Sequence, residues 1–162
     1  MTSRIERPIL FLDVDGVLLR RRLGNMRGRD AYEIARHSLP FLGWALKNFN
    51  VRWLSSRCQG GNAQEVCHAF RYAHGARELP PDWHILDTIL AARWERRKVD
   101  AIDLSSDFFW VDDNHDHGEE ALAILAAHGR ADRAIGTNVD RDPDALLGAM
   151  KRLAEAKGAR RG

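Results

Sequence analysis

Apolar positions fall into two rhythms along the chain. Short runs at residues 9–12 (Ile-Leu-Phe-Leu), 51–54 (Val-Arg-Trp-Leu) and 108–111 (Phe-Phe-Trp-Val) have strand length, and 133–135 offers a last, weaker strand. Helical spacing appears between them. Phe41, Leu42, Ala45, Leu46 and Phe49 form one stripe, with Ser38 as its expected N-cap and Pro40 in the first turn. A second helix is expected over 62–73, with Asn62 and Glu65 at capping-box spacing and Gly75 as its stop. A third runs over 119–128 to Gly129, and Asp142-Pro143 opens a fourth that reaches about Lys157 and ends at Gly158.

Two stretches read less simply. Residues 17–36 are punctuated by glycine and carry Arg20, Arg21, Arg22, Arg27 and Arg29; 31–36 alternates, with Tyr32 and Ile34 on one side. That pattern predicts a small β-flap, a projection rather than a second domain. Between Gly75 and Asp87 the Pro80-Pro81 pair breaks regular structure, and the pattern allows a short strand around 83–86. Asp87 then reads as the cap of a long helix through Ile89, Leu90 and Trp94 toward Ile102, with Lys98 near its C-terminal end.

Alternating strands and helices predict an α/β chain, a three-layer Rossmann-like parallel sheet with helices on both faces. No repeat, low-complexity tract or linker divides it, so one domain over 1–162 is expected, with the flap at about 17–36. Ligands of such sheets bind beyond the carboxyl ends of the strands. Asp13, Asp15, Ser55, Asp112 and Asp113 all fall there, while Lys98 is expected to reach in from a helix.

The first of these tips carries the most chemistry. Asp13 and Asp15 would share a face if the strand continued, but Gly16 lets the chain turn and gives each carboxylate a separate task. A calcium loop is excluded, because Val17 holds the fifth position, Gly24 the twelfth, and a strand precedes. A solvated acidic turn is the plain alternative.

Composition narrows the class. The chain has 162 residues, 44% hydrophobic and 30% charged, which suits one globular domain with a proper core. No apolar run approaches a membrane span, and Arg4, Glu6 and Arg7 ahead of a short apolar run do not read as a signal peptide, so the expected compartment is the cytoplasm. Cys58 and Cys67 are too few for a disulfide framework, lack metal spacing and read as reduced thiols. A net charge of +2 argues against coating nucleic acid through bulk charge and leaves room for a local basic patch.

Asp13-x-Asp15-Gly16-Val17 after the first strand, Ser55 after the second, Lys98, and Asp112-Asp113 after a later strand together resemble the haloacid dehalogenase (HAD) superfamily. Its signature is a D-x-D-x-[TV] loop, a strand-terminal Ser or Thr, a Lys and an acidic pair. The resemblance runs from residue 9 to about 140. It implies a phosphatase in which Asp13 is the nucleophile that forms an aspartyl-phosphate, and Asp15 the acid and then the base. It implies Mg²⁺ as cofactor, held by the Asp13 carboxylate, the Asp15 backbone carbonyl and the acidic pair, with Asp113 the direct ligand and Asp112 supporting. Ser55 would bind a phosphoryl oxygen and Lys98 offset charge, with Ser56 as rival to Ser55. Gly16, Ser56, Arg20 and Arg21 are the residues expected to face the substrate.

Relatives often insert a cap domain, but the intervals from Asp15 to Ser55 and from Ser55 to Lys98 are mostly consumed by scaffold, so no large cap is expected. An open site admits bulky substrates. The segments Phe109-Trp110-Val111-Asp112-Asp113 and Val51-Arg52-Trp53-Leu54-Ser55 are also similar to small bacterial HAD domains associated with RNA repair, which implies a nucleic-acid end as substrate.

Rival readings are a phosphatase of small nucleotides or sugars, and a non-catalytic phosphate-binding module like a receiver domain. In receivers the adjacent acidic pair follows the first strand and the Lys comes late; here that order is reversed. His115 and His117 beside Asp116 suggest a transition-metal site, set aside because the acidic pair already has a role. Of the five tryptophans, Trp53 and Trp110 are expected in strands and Trp44 and Trp94 in helices, all as core, leaving Trp83 as a candidate for stacking. Cys58 is expected to be a buried, inert thiol.

Overall fold

A computed structural model describes residues 6–24, 27, 31–75 and 77–159, apart from the side chains of 114–117. Five parallel strands form the central sheet: β1 (Ile9–Leu12), β4 (Asn50–Trp53), β5 (Leu90–Ala91), β6 (Phe108–Asp112) and β7 (Ala134–Gly136), ordered β5-β4-β1-β6-β7. In the central register Leu12 lies between Trp53 and Val111. The chain builds outward from β1 to β5, then returns to lay β6 and β7 on the other side. The order therefore reverses between β1 and β6, where such sheets open a crevice at their carboxyl ends.

Strand pleating sorts the core into two clusters. Leu10, Leu12, Val51, Trp53, Phe109 and Val111 face α1 (Ser38–Asn48), α2 (Gln64–His74) and α4 (Ala145–Gly158), which contribute Phe41, Phe70 and Leu153 among others. Phe11, Phe108 and Trp110 point the other way, onto Ala121 and Leu125 of α3 (Asn114–Ala127) and onto Val99 and Ile102. Helices thus cover both faces, which is why β6 is buried along its whole length. The three-layer α/β fold expected from the sequence is the one observed.

The flap is an antiparallel hairpin of β2 (Leu19–Arg21) and β3 (Tyr32–Ile34), with Arg21 opposite Tyr32. It is sewn to the body: the Ser38 hydroxyl donates to the Leu18 carbonyl at 2.8 Å, and Arg22 Nη2 to the Ala73 carbonyl at 3.3 Å. Arg29 lies outside the described residues.

Several expected elements differ. Ser38 is the first residue of α1 and not its cap; His37, at φ 70°, precedes the helix. The stretch around 83–86 is part of a 3₁₀ segment, Pro81–Thr88, with Trp83 and Leu86 turned inward. No long helix follows Asp87. Leu90–Ala91 pairs with β4 as an edge strand, and Lys98–Ala101 is a separate 3₁₀ turn. The free edge of β4 supplies main-chain partners that outweigh helix propensity here: Ala92 N–H reaches the Trp53 carbonyl at 2.8 Å. Trp94 accordingly sits outside any helix, and Trp83 is buried against Phe70, with ring centroids 5.3 Å apart. α3 begins earlier than 119, at Asn114, and is kinked at Gly118. Among the described residues no helix is long and apolar enough to cross a membrane.

Candidate active site

The β1 ladder runs one residue past the strand, since Asp13 N–H donates to the Val111 carbonyl at 3.0 Å. Pleating then puts the Asp13 side chain on the Phe11 face, and Asp112 on the matching Trp110 face of β6. Both carboxylates are buried. Lys98, 6% exposed, enters from its 3₁₀ turn on the same side, with Nζ 3.2 Å from Asp13 Oδ1 and 2.9 Å from Asp112 Oδ2. Trp110 Nε1 donates to the same Asp112 oxygen at 3.1 Å, as two residues on one strand face can.

Asp113 completes the group. One carboxylate oxygen from each of Asp13, Asp112 and Asp113 lies within 4.8 Å of the others. Among the described residues these three carboxylates meet the Lys98 ammonium in a mostly buried place, where a divalent cation would offset their charge. The donors are all oxygen, which suits a hard divalent ion such as Mg²⁺ and not a soft one.

Gly16 has φ +76°, and a β-carbon built on it would lie 2.6 Å from Asp113 Oδ2. The loop after β1 therefore presses its backbone against the Asp113 side chain from the loop after β6. Val139 N–H donates to the Gly16 carbonyl at 2.8 Å and holds that loop from the β7 side.

Asp15 takes no part in the carboxylate triad. Its side chain turns to Arg57, whose Nε lies 2.9 Å from each of its oxygens and Nη2 2.7 Å from Oδ1. The two acids thus face different partners, Asp13 the Lys98 ammonium and Asp15 the Arg57 guanidinium. Arg57 was missed by sequence reasoning. It stands in a 3₁₀ turn, Ser56–Cys58, capped by Ser55, whose Oγ accepts from Arg57 N–H at 3.3 Å. The available signal was an arginine two residues beyond the strand-terminal serine.

Ser55 is buried and its carbonyl accepts from Trp94 Nε1 at 3.2 Å, whereas Ser56 is exposed. Ser56 joins Trp94, Arg96 and Lys98 in lining a hollow of about 260 Å³. A larger hollow, about 510 Å³, is lined by Arg71, Trp83 and Asp87 and by none of the three clustered aspartates. Arg20 pairs with Glu33 at 3.0 Å, and the Arg21 guanidinium sits 5.7 Å from the Tyr32 ring centre. Cys58 is buried next to this group; burial pushes its thiol up, and the Asp13 charge adds to that. The side chains of His115, Asp116 and His117 lie outside those described.

No family model, curated protein or solved structure matches the chain.

Proposed function

We propose that this chain is a Mg²⁺-dependent phosphatase of the HAD superfamily, hydrolysing a phosphate monoester through a covalent intermediate on Asp13. The observation that carries the reading is the convergence of Asp13, Asp112, Asp113 and Lys98 at the carboxyl ends of neighbouring parallel strands. Asp13, Asp112 and Asp113 would hold Mg²⁺, which when bound would offset their charge and polarise a phosphoryl oxygen.

Asp13 attacks phosphorus, forming a carboxylate–phosphorus bond as the bond to the leaving oxygen breaks. Lys98, anchored between Asp13 and Asp112, restrains the nucleophile and offsets charge as it gathers on the transferred group. The Ser55 oxygen accepts from Arg57 N–H, leaving the hydroxyl proton to donate to a phosphoryl oxygen. Asp15, entering the step protonated, gives that proton to the leaving oxygen and then, as the carboxylate forked by Arg57, takes one from the water that attacks phosphorus and releases Asp13. Arg57 fixes where the Asp15 carboxylate points.

Asp15 and Arg57 are each about a third exposed at the mouth of the site, which suits a phosphate on a bulky carrier such as a nucleic-acid end as well as a small ester. Free thiols at Cys58 and Cys67 suit a reducing, cytoplasmic setting. The test is Mg²⁺-dependent phosphate release from an aryl phosphate by the wild type, Asp13→Asn and Asp15→Asn, followed by competition between phosphorylated oligonucleotides and small esters. An inert wild type across a wide pH range, or full activity in Asp13→Asn, overturns the reading.

A further inference from the structure

We propose that Tyr32 of the flap is a positioning residue for Asp15, acting through Arg57. The inference rests on the reading of Asp15 as the proton donor. The Arg57 guanidinium has two partners at once: its edge forks onto both oxygens of Asp15, and Cζ lies 5.0 Å from the centre of the Tyr32 ring.

Tyr32 is itself well placed to hold a neighbour. It sits in β3 opposite Arg21, its carbonyl accepts from Arg22 Nε at 3.1 Å, and it packs on the main core. Arg57 and Asp15, by contrast, both touch water, and a fork between two partly solvated side chains is weakly restrained by its ion pair alone. An aromatic face beside the guanidinium attracts it and limits its rotamers, keeping its edge turned toward Asp15. The Asp15 backbone is meanwhile bridged to Leu19 at the start of β2. One strand of the hairpin thus holds the Asp15 main chain, and the other, through Tyr32 and Arg57, holds its carboxylate. The flap serves the acid.

A displaced proton donor harms only those reactions that need the proton. Nitrophenolate leaves unprotonated, whereas an alkoxide does not. The experiment compares kcat/KM, which reports steps through departure of the leaving group, for p-nitrophenyl phosphate and for a primary alkyl phosphate in wild type, Tyr32→Phe and Tyr32→Leu. Tyr32→Leu should lose about 10-fold on the alkyl ester and under about 3-fold on the aryl ester, with Tyr32→Phe within about 2-fold of wild type on both. Equal losses on the two esters, or a Phe variant as impaired as the Leu variant, overturn the proposal. Should wild type cleave neither ester with Mg²⁺, the phosphatase reading itself fails. The positioning is then read from the Arg57 Nε–H resonance, assigned by its absence in Arg57→Lys: it should be alike in wild type and Tyr32→Phe and altered in Tyr32→Leu. An identical resonance in all three overturns the role of Tyr32.

Discussion

Gly16 and Asp113 are in contact so close that the glycine hydrogen occupies the only space available: a β-carbon there would stand 2.6 Å from Oδ2 and 3.2 Å from Cβ of the aspartate. Gly16 also has φ +76°, where any side chain is strained. Gly16→Ala should therefore destabilise the fold by about 1–2 kcal/mol and push Asp113 out of the carboxylate triad. Urea unfolding reads the first effect. The second appears as a smaller rise in Tm on adding Mg²⁺, and a rise equal to that of wild type would show that Asp113 does not depend on the glycine.

Lys98 makes a different prediction, because its loss leaves charge behind. Lys98→Met would keep the buried stem but strand Asp13 and Asp112 without their shared ammonium. Breaking a buried pair from one side costs about 3–5 kcal/mol, so the Mg²⁺-free variant should unfold much more easily. A cation can take over that role. The Mg²⁺-induced rise in Tm should be larger in Lys98→Met than in wild type, while turnover falls; an unchanged or smaller rise would mean that Mg²⁺ does not bind among these carboxylates.

What could be read from the sequence divides along physical lines. β1 and β6 were legible because burial on both faces demands unbroken apolar runs, and Asp13 and Asp112–Asp113 came with them as the polar residues at their ends. Leu90–Ala91 was not, because an edge strand of two residues has no pattern of its own and exists only where β4 offers partners. Its misreading as helix also misplaced Trp94 and the element that carries Lys98, although Lys98 itself arrives where it was expected to act. Arg57 was hidden for a related reason. The sequence places it two residues beyond the strand-terminal serine, but its partner is set by a turn that swings it back over Asp15, forty-two positions earlier. The i, i+2 relation of Trp110 to Asp112, by contrast, follows from strand geometry alone.

That relation can be tested. Trp110 Nε1 donates to an oxygen of a fully buried carboxylate, and Trp110→Phe removes the donor while keeping an aromatic ring against Leu125 and its neighbours. The loss should cost about 1–3 kcal/mol from the weakened solvation of Asp112, in addition to the smaller ring. A cycle with Asp112→Ala, which removes the acceptor, separates the two contributions in urea unfolding. Strict additivity would show that the indole serves packing alone.

Cys58 gives the fold a pH dependence of definite sign. Burial, with Asp13 adding to it, raises the thiol above its unfolded value of about 8.5, so between those two values the native state keeps a proton that the unfolded chain has lost. Its contribution to stability is complete below the unfolded value and is lost as pH rises through the folded one. Cys67 is shifted the same way, chiefly by burial, so the comparison belongs in a Cys67→Ser background. In that background, reduced and without Mg²⁺, a further Cys58→Ala change should cost about 1 kcal/mol at neutral pH, as an opened cavity does. The difference between the two proteins should then narrow over the alkaline interval above about pH 8.5, because only the thiol-bearing chain must bury a charge or hold a proton against the rising pH. Urea midpoints across that interval decide it. A gap that stays constant would mean that the Cys58 thiol ionises as readily in the folded protein as in the unfolded one, with the bond at Ser55 and the Lys98 charge offsetting burial and Asp13 in full.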